Sequence, residues 1–202
     1  MNLKQLPIIT MVLALATITT SLAVNYSISG TLIGKIRVID LEPYGGFTIE
    51  HIMNFELWRL LVSQLIHTKQ IHMFYNVLSL FALGFLLERK LGSINFFLIW
   101  FLAGSVGTFV STFTVPAPWN LGTGGSQAIL ALAASGLILH KLENYKRHIL
   151  AMVLILTIVP AFLLDLIYAS NHLPKLGHIA SFVLGLILGF VLLRRGSVTA
   201  SY

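Results

Sequence analysis

Charged residues divide this chain into long apolar stretches. Runs free of Asp, Glu, Lys and Arg cover 5–34, 70–87, 91–140, 148–164 and 176–193. A helix that crosses a bilayer needs about 20 mostly apolar residues. Four of the runs therefore predict one span each. The third is long enough for two, and it is interrupted by Pro116, Pro118 and the loop-forming stretch Asn120 to Gly125. Six spans follow, near 7–27, 70–88, 94–114, 126–141, 148–168 and 176–194, joined by short connections. Residues 28–69 differ, with Lys35, Arg37, Asp40, Glu42, Glu50, Glu56, Trp58 and Arg59 around the turn-like Pro43-Tyr44-Gly45-Gly46. That mixture predicts a structured interfacial loop between the first two helices. The expected fold is an all-α polytopic bundle, a single domain over 1–202 without internal repeats.

Composition narrows the class further. Of 202 residues 56% are hydrophobic and 10% charged, and mean hydropathy is +0.87, which excludes a soluble domain with a solvated charged surface. The net charge of +6 is spread over residues that bracket the spans rather than gathered on one face, so a nucleic-acid partner is not expected. With the N-terminus inside, eight basic residues (Lys4, Arg89, Lys90, Lys141, Lys146, Arg147, Arg194, Arg195) fall on the cytoplasmic side against five outside (Lys35, Arg37, Arg59, Lys69, Lys175). The positive-inside bias then puts both termini in the cytoplasm. Lys4, the apolar run and Ser21-Leu22-Ala23 also fit a cleaved signal peptide, but the run continues to Ile28 and favours a retained span. The lack of a long Ser- and Arg-rich leader favours a bacterial plasma membrane over an organellar one. There is no cysteine, so covalent chemistry falls to Ser, Thr, Lys or a carboxylate.

Polar side chains within spans are costly and point to a site. His67, His72 and Asn76 open the second span, Gly124-Gly125-Ser126-Gln127 the fourth, Gly177-His178 the sixth, and Asp165 lies in the fifth. On the topology above all lie toward the outer face. From Ser126 to His140 the fourth span has 15 residues, about 22 Å of helix against a hydrocarbon core of about 30 Å. Its N-terminus is expected below the surface, with irregular backbone ahead of it that must be buried or line a wet cavity. Free N–H groups there suit a developing oxyanion, although a serine after glycines is also an ordinary N-cap. A serine hydroxyl needs a base, and imidazole is the usual one. His178 begins a helix in which Gly177, Ser181, Gly185 and Gly189 recur every four residues, a stripe that admits close approach of the small-residue fourth span. Such packing brings Ser126 and His178 together as a dyad that needs no third member. Asp165 either orients the histidine or makes a loop-proximal hydrogen bond after Pro160. His72 and Asn76, four apart, share a helix face and can complete an oxyanion hole with the Ser126 N–H. A metal held by His67, His72 and His178 is disfavoured, for no carboxylate or fourth ligand has suitable spacing.

These residues resemble the rhomboid family of intramembrane serine proteases in its minimal six-span form. The resemblance rests on Trp58-Arg59, on His67, His72, Asn76, Glu88 and Gly92 (WRLLVSQLIHTKQIHMFYN and beyond), on Gly124-Gly125-Ser126, and on His178 with Gly185 and Gly189. It implies a Ser126 nucleophile, a His178 general base and acid, His72 and Asn76 as oxyanion donors, transmembrane protein substrates, a bilayer environment and no cofactor or metal. Gly124, Gly125, Gln127, Leu130 and His67 are the expected site-lining residues. Gln127 stands where the family usually has glycine, Leu130 where it often has an aromatic ring, and Ser181 where a third glycine is common. Two rivals follow: a catalytically silent relative that binds client helices, though such relatives usually lack the serine or histidine, and a small transporter, which usually shows matching halves.

Overall fold

The computed structural model describes residues 6–117, 120–142, 146–168 and 175–199, without the side chains of Tyr168 and 195–199. Lys4, Pro118 and the Arg195 side chain, used above, lie outside the described residues. Six long helices dominate: α1 Ile8–Ser29, α2 Gln70–Leu91, α3 Ser93–Thr114, α4 Ser126–Leu142, α5 Arg147–Tyr168 and α6 Leu176–Thr199. All but α4 are long and apolar enough to cross a membrane. The bounds of the expected spans lie within five residues of these, and five of them coincide. The largest difference is at α6, which continues past Arg194 to Thr199. A feature the periodicity does not predict is the π-helical segment Ile99–Ala103 inside α3, which carries the fully buried Trp100.

The helix at the centre is the shortest. α4 has 17 residues, about 25 Å, and Gln127 to Gly136 are buried on every side, as expected for a helix apolar all round. Its alanines and leucines join Leu80, Leu83 and Leu87 of α2 and Trp100 and Ala103 of α3 in one core. α5 does the reverse and exposes Met152, Ile155, Leu156, Val159 and Leu163, a lipid-facing edge.

The approach of α6 to α4 follows from the small-residue stripe. A Cβ on Gly185 would lie 2.6 Å from Ala131 Cα and nearer still to its carbonyl oxygen, and one on Gly189 would lie 2.7 Å from Ser135 Cα. Backbone therefore meets backbone where the two helices cross. At the far end of α2, Glu88 is buried. Its carboxylate accepts N–H groups of Ile9 and Thr10 at 3.0 and 2.8 Å, and the hydroxyls of Thr10 and Ser93 at 2.7 and 2.6 Å. An anion at a helix N-terminus satisfies donors that have no partner within the helix, so Glu88 joins α2 to the start of α1.

The connection from α1 to α2 is folded, with a 3₁₀ turn at Val38–Tyr44 and short helices at Ile49–Met53 and Arg59–Val62. Asn25 fixes its start by pairing with both backbone groups of Gly34. The guanidinium of Arg59 donates to the carbonyls of Glu42 and Gly46 and to Glu56 at 2.5 Å, which ties three parts of the loop to one buried side chain. Hydrogen bonding to Arg37 at 2.7 Å holds the half-buried Asp40 carboxyl below the usual carboxylate range.

Candidate active site

The segment before α4 is irregular backbone, so its N–H and C=O groups need partners outside a helix. The α1–α2 loop supplies them. Phe47 and Gly122 exchange two backbone hydrogen bonds at 3.1 and 2.7 Å, and Gly124 N–H donates to Ser63 C=O at 2.8 Å. Gly124 has φ +90°, a left-handed conformation that favours glycine. A Cβ there would touch His67 and His72 at 3.5 Å, while one on Gly125 would lie 3.0 Å from the Gln64 carbonyl. The two glycines let the chain pass against the imidazoles and deliver Ser126 as the first residue of α4.

Close packing of α4 on α6 sets the next distance. Ser126 Oγ lies 2.9 Å from His178 Nε2. On the other side of the ring, His178 Nδ1 lies 2.5 Å from Asp165 Oδ2. Asp165 and His178 are 3% and 6% exposed, so the imidazole–carboxylate contact is shielded from solvent, while Ser126 is half-buried. The same Oδ2 accepts the Lys175 N–H at 3.1 Å, and the half-exposed Lys175 ammonium is 3.7 Å from Oδ1. Asp165 thus both contacts the histidine and caps the connection that enters α6.

His72 and Asn76 stand together at the start of α2, with His67 beside them. Asn76 Nδ2 lies 2.9 Å from His67 Nε2 and 3.3 Å from His72 Nε2, and Gly125 N–H approaches the same His67 nitrogen at 3.3 Å. Two donors directed at His67 Nε2 require its lone pair there and its proton on Nδ1. Nδ1 faces Ser21 Oγ at 3.1 Å and Leu65 C=O at 3.3 Å. His67 therefore joins α1, α2 and the glycine loop, holding Asn76 and Gly125 in place.

Gln127 is buried, and its Oε1 lies 3.3 Å from Ser126 Oγ. Leu130 is fully buried one turn further along α4. Four further residues lie in the site region without having been singled out from the sequence. Ser21, which entered only as part of a cleavage pattern, supports His67. Gln64 and Trp100, with Thr17, line a cavity of about 10 Å³ beside His67 and Asn76. Buried polar residues at helical spacing in an apolar span would have flagged Thr17 and Ser21. Among the described residues no group of three His, Asp or Glu side chains is placed to hold a metal ion.

A multi-pass helical membrane protein with a serine, an imidazole and a carboxylate in one hydrogen-bonded row has the side-chain set of a serine hydrolase. A family model described as the Rhomboid domain matches residues 54–195, and the chain belongs to the rhomboid family. It is similar to RHOMBOID-like protein 4 of Arabidopsis thaliana, with 28% identity over 159 residues, 78% of this chain and 40% of the relative. It resembles Rhomboid protease GluP of Bacillus subtilis (strain 168) at 29% over 157 residues, 78% of this chain and 29% of that protein. Inactive RHOMBOID-like protein 8 of Arabidopsis thaliana is also 29% identical, over 139 residues, 68% of this chain and 40% of the relative. The matched region spans less than half of each of these relatives.

Proposed function

We propose that this protein is an intramembrane serine endopeptidase that cleaves transmembrane segments of other membrane proteins. The observation that carries this reading is the 2.9 Å contact between Ser126 Oγ and His178 Nε2 at the start of a short central helix. A substrate segment enters between helices, unwinds locally and presents a carbonyl carbon to Ser126. As Oγ bonds to that carbon, its proton passes to His178 Nε2. The oxyanion is held by His72, Asn76 and the Ser126 N–H at the positive end of α4. Collapse of the tetrahedral intermediate breaks the C–N bond, and His178 returns the proton to the leaving nitrogen. Water then attacks the acyl-enzyme, His178 takes its proton, and the serine is released.

A helix hides its carbonyls in hydrogen bonds, so substrates with small or helix-weakening residues near the outer face are preferred. The charge distribution favours both termini on the cytoplasmic side of the membrane, with the site open to the outer side. A client-binding role without cleavage is the second reading. It is favoured by the similarity to a relative named as inactive and by Gln127 beside the serine. A serine-directed fluorophosphonate probe separates the two. The wild type is expected to label and to cleave a model transmembrane substrate, and Ser126→Ala and His178→Ala to lose cleavage while remaining folded in detergent. Cleavage at the wild-type rate in either variant ends the protease assignment.

A further inference from the structure

Catalysis by a serine and a histidine needs only Nε2 of the imidazole, yet here Nδ1 is also engaged. We propose that Asp165 is a positioning residue for the hydrolysis, fixing the tautomer and orientation of His178, and that Lys175 holds the carboxylate in place. This rests on the protease reading and deepens it.

His178 must present a lone pair at Nε2 to take the serine proton, so its own proton must sit on Nδ1. Asp165 Oδ2, 2.5 Å from Nδ1, is an acceptor and rewards that tautomer alone. The opposite tautomer would turn a lone pair toward the carboxylate and an N–H toward the Ser126 hydroxyl. Lys175 restrains the carboxylate twice, through its N–H at 3.1 Å on Oδ2 and its ammonium 3.7 Å from Oδ1. When Nε2 gains the serine proton, the resulting imidazolium lies beside an anion already in position, in a pocket where reorganising water is scarce. Asp165 stays ionised throughout, so no proton is transferred to it.

The geometry separates the two contributions. In Asp165→Asn the side chain keeps its place, but the charge is lost and the amide N–H₂ can turn to Nδ1 and reward the wrong tautomer. In Asp165→Ala the side-chain contact and the charge are both lost. The test uses the full chain in detergent micelles, with ring ¹⁵N spectra of labelled histidine, His178→Ala to assign the signal, and kcat and KM on a model transmembrane substrate. Wild-type His178 is expected to carry its proton on Nδ1. Asp165→Ala is expected to give mixed tautomers and a kcat lower by roughly 10²- to 10⁴-fold at similar KM, and Asp165→Asn a loss of up to about 10⁴-fold with the ring proton shifted toward Nε2. A merely structural tether predicts lower thermal stability with kcat and tautomer unchanged. The proposal is overturned if both variants keep kcat within about threefold of wild type, or if the wild-type ring carries its proton on Nε2. A wild type that neither labels nor cleaves overturns the protease reading instead, and the ¹⁵N spectra still decide whether Asp165 orients the ring.

Discussion

The backbone-on-backbone crossing of α4 and α6 also sets the distance between Ser126 and His178, and Gly185→Ala tests that link. The added Cβ would lie 2.6 and 2.8 Å from Ala131 Cα and C, where ordinary contact begins at 3.4 Å. The obstructing atoms are backbone of the central helix and cannot rotate aside. Relief therefore requires α4 and α6 to part by about 1 Å, an overpacking that typically costs about 1–3 kcal/mol. Gly185 is seven residues from His178, about two turns along the same face of α6, and Ala131 is five residues from Ser126. The displacement is thus transmitted to a contact that measures 2.9 Å. Lengthened by about 1 Å, it is no longer a hydrogen bond, and a misplacement of about that size can cost on the order of 10²-fold in rate. The assay pairs thermal unfolding in detergent with kcat for a model transmembrane substrate. Ile187→Ala on the exposed face of the same helix serves as control, with an expected stability change within about 0.5 kcal/mol. A Gly185→Ala protein that unfolds at the wild-type temperature and cleaves at the wild-type rate would refute the packing account.

Two further substitutions probe other parts of the fold. Glu88→Gln places an amide N–H₂ or a single oxygen where two oxygens accept four donors around the start of α1. Stranded buried donors cost about 1–3 kcal/mol, so the unfolding temperature should fall. Cleavage by the folded fraction should be unchanged, because Glu88 is about 24 Å along α2 from His72; a normal unfolding temperature would sink the capping account. Gln127→Met removes an acceptor 3.3 Å from Ser126 Oγ that competes with His178 at 2.9 Å for one hydroxyl proton. Fluorophosphonate labelling should accelerate by no more than about threefold, since the shorter bond already dominates. Slower labelling would show instead that Gln127 assists the serine.

How much of this was legible in the sequence depended on whether a residue's role is set by its own segment or by a distant one. The spans were legible because desolvating a charge in the bilayer is expensive and leaves gaps that can be counted. The short α4 and the Gly177–Gly189 stripe were legible for a related reason: length and the absence of side chains are local facts with geometric consequences. The π segment at Ile99–Ala103 was not, since nothing in a run of apolar residues distinguishes a five-residue turn from a four-residue one. The contact between Asp165 and His178 was undetermined because it depends on where α5 and α6 end relative to each other.

His67 shows where local reading stops. On sequence it was one more histidine near a site, five residues from His72 and so not on the same turn of helix. Its use comes from three separate parts of the chain: Ser21 on α1 faces one ring nitrogen, while Asn76 on α2 and the N–H of Gly125 face the other. A neutral ring with one donor and one acceptor can satisfy such a set only in a single tautomer, so the arrangement fixes Asn76 and the glycine loop together. Packing in a bilayer gains little from hydrophobic contrast with lipid, so it relies on close approach and on polar groups that leave no donor unpaired. In this chain the small residues bring α4 to α6, and the polar residues that are costliest to bury fix the register of α1, α2 and the serine loop. The polar groups that mark the site in the sequence are therefore also part of what holds its geometry.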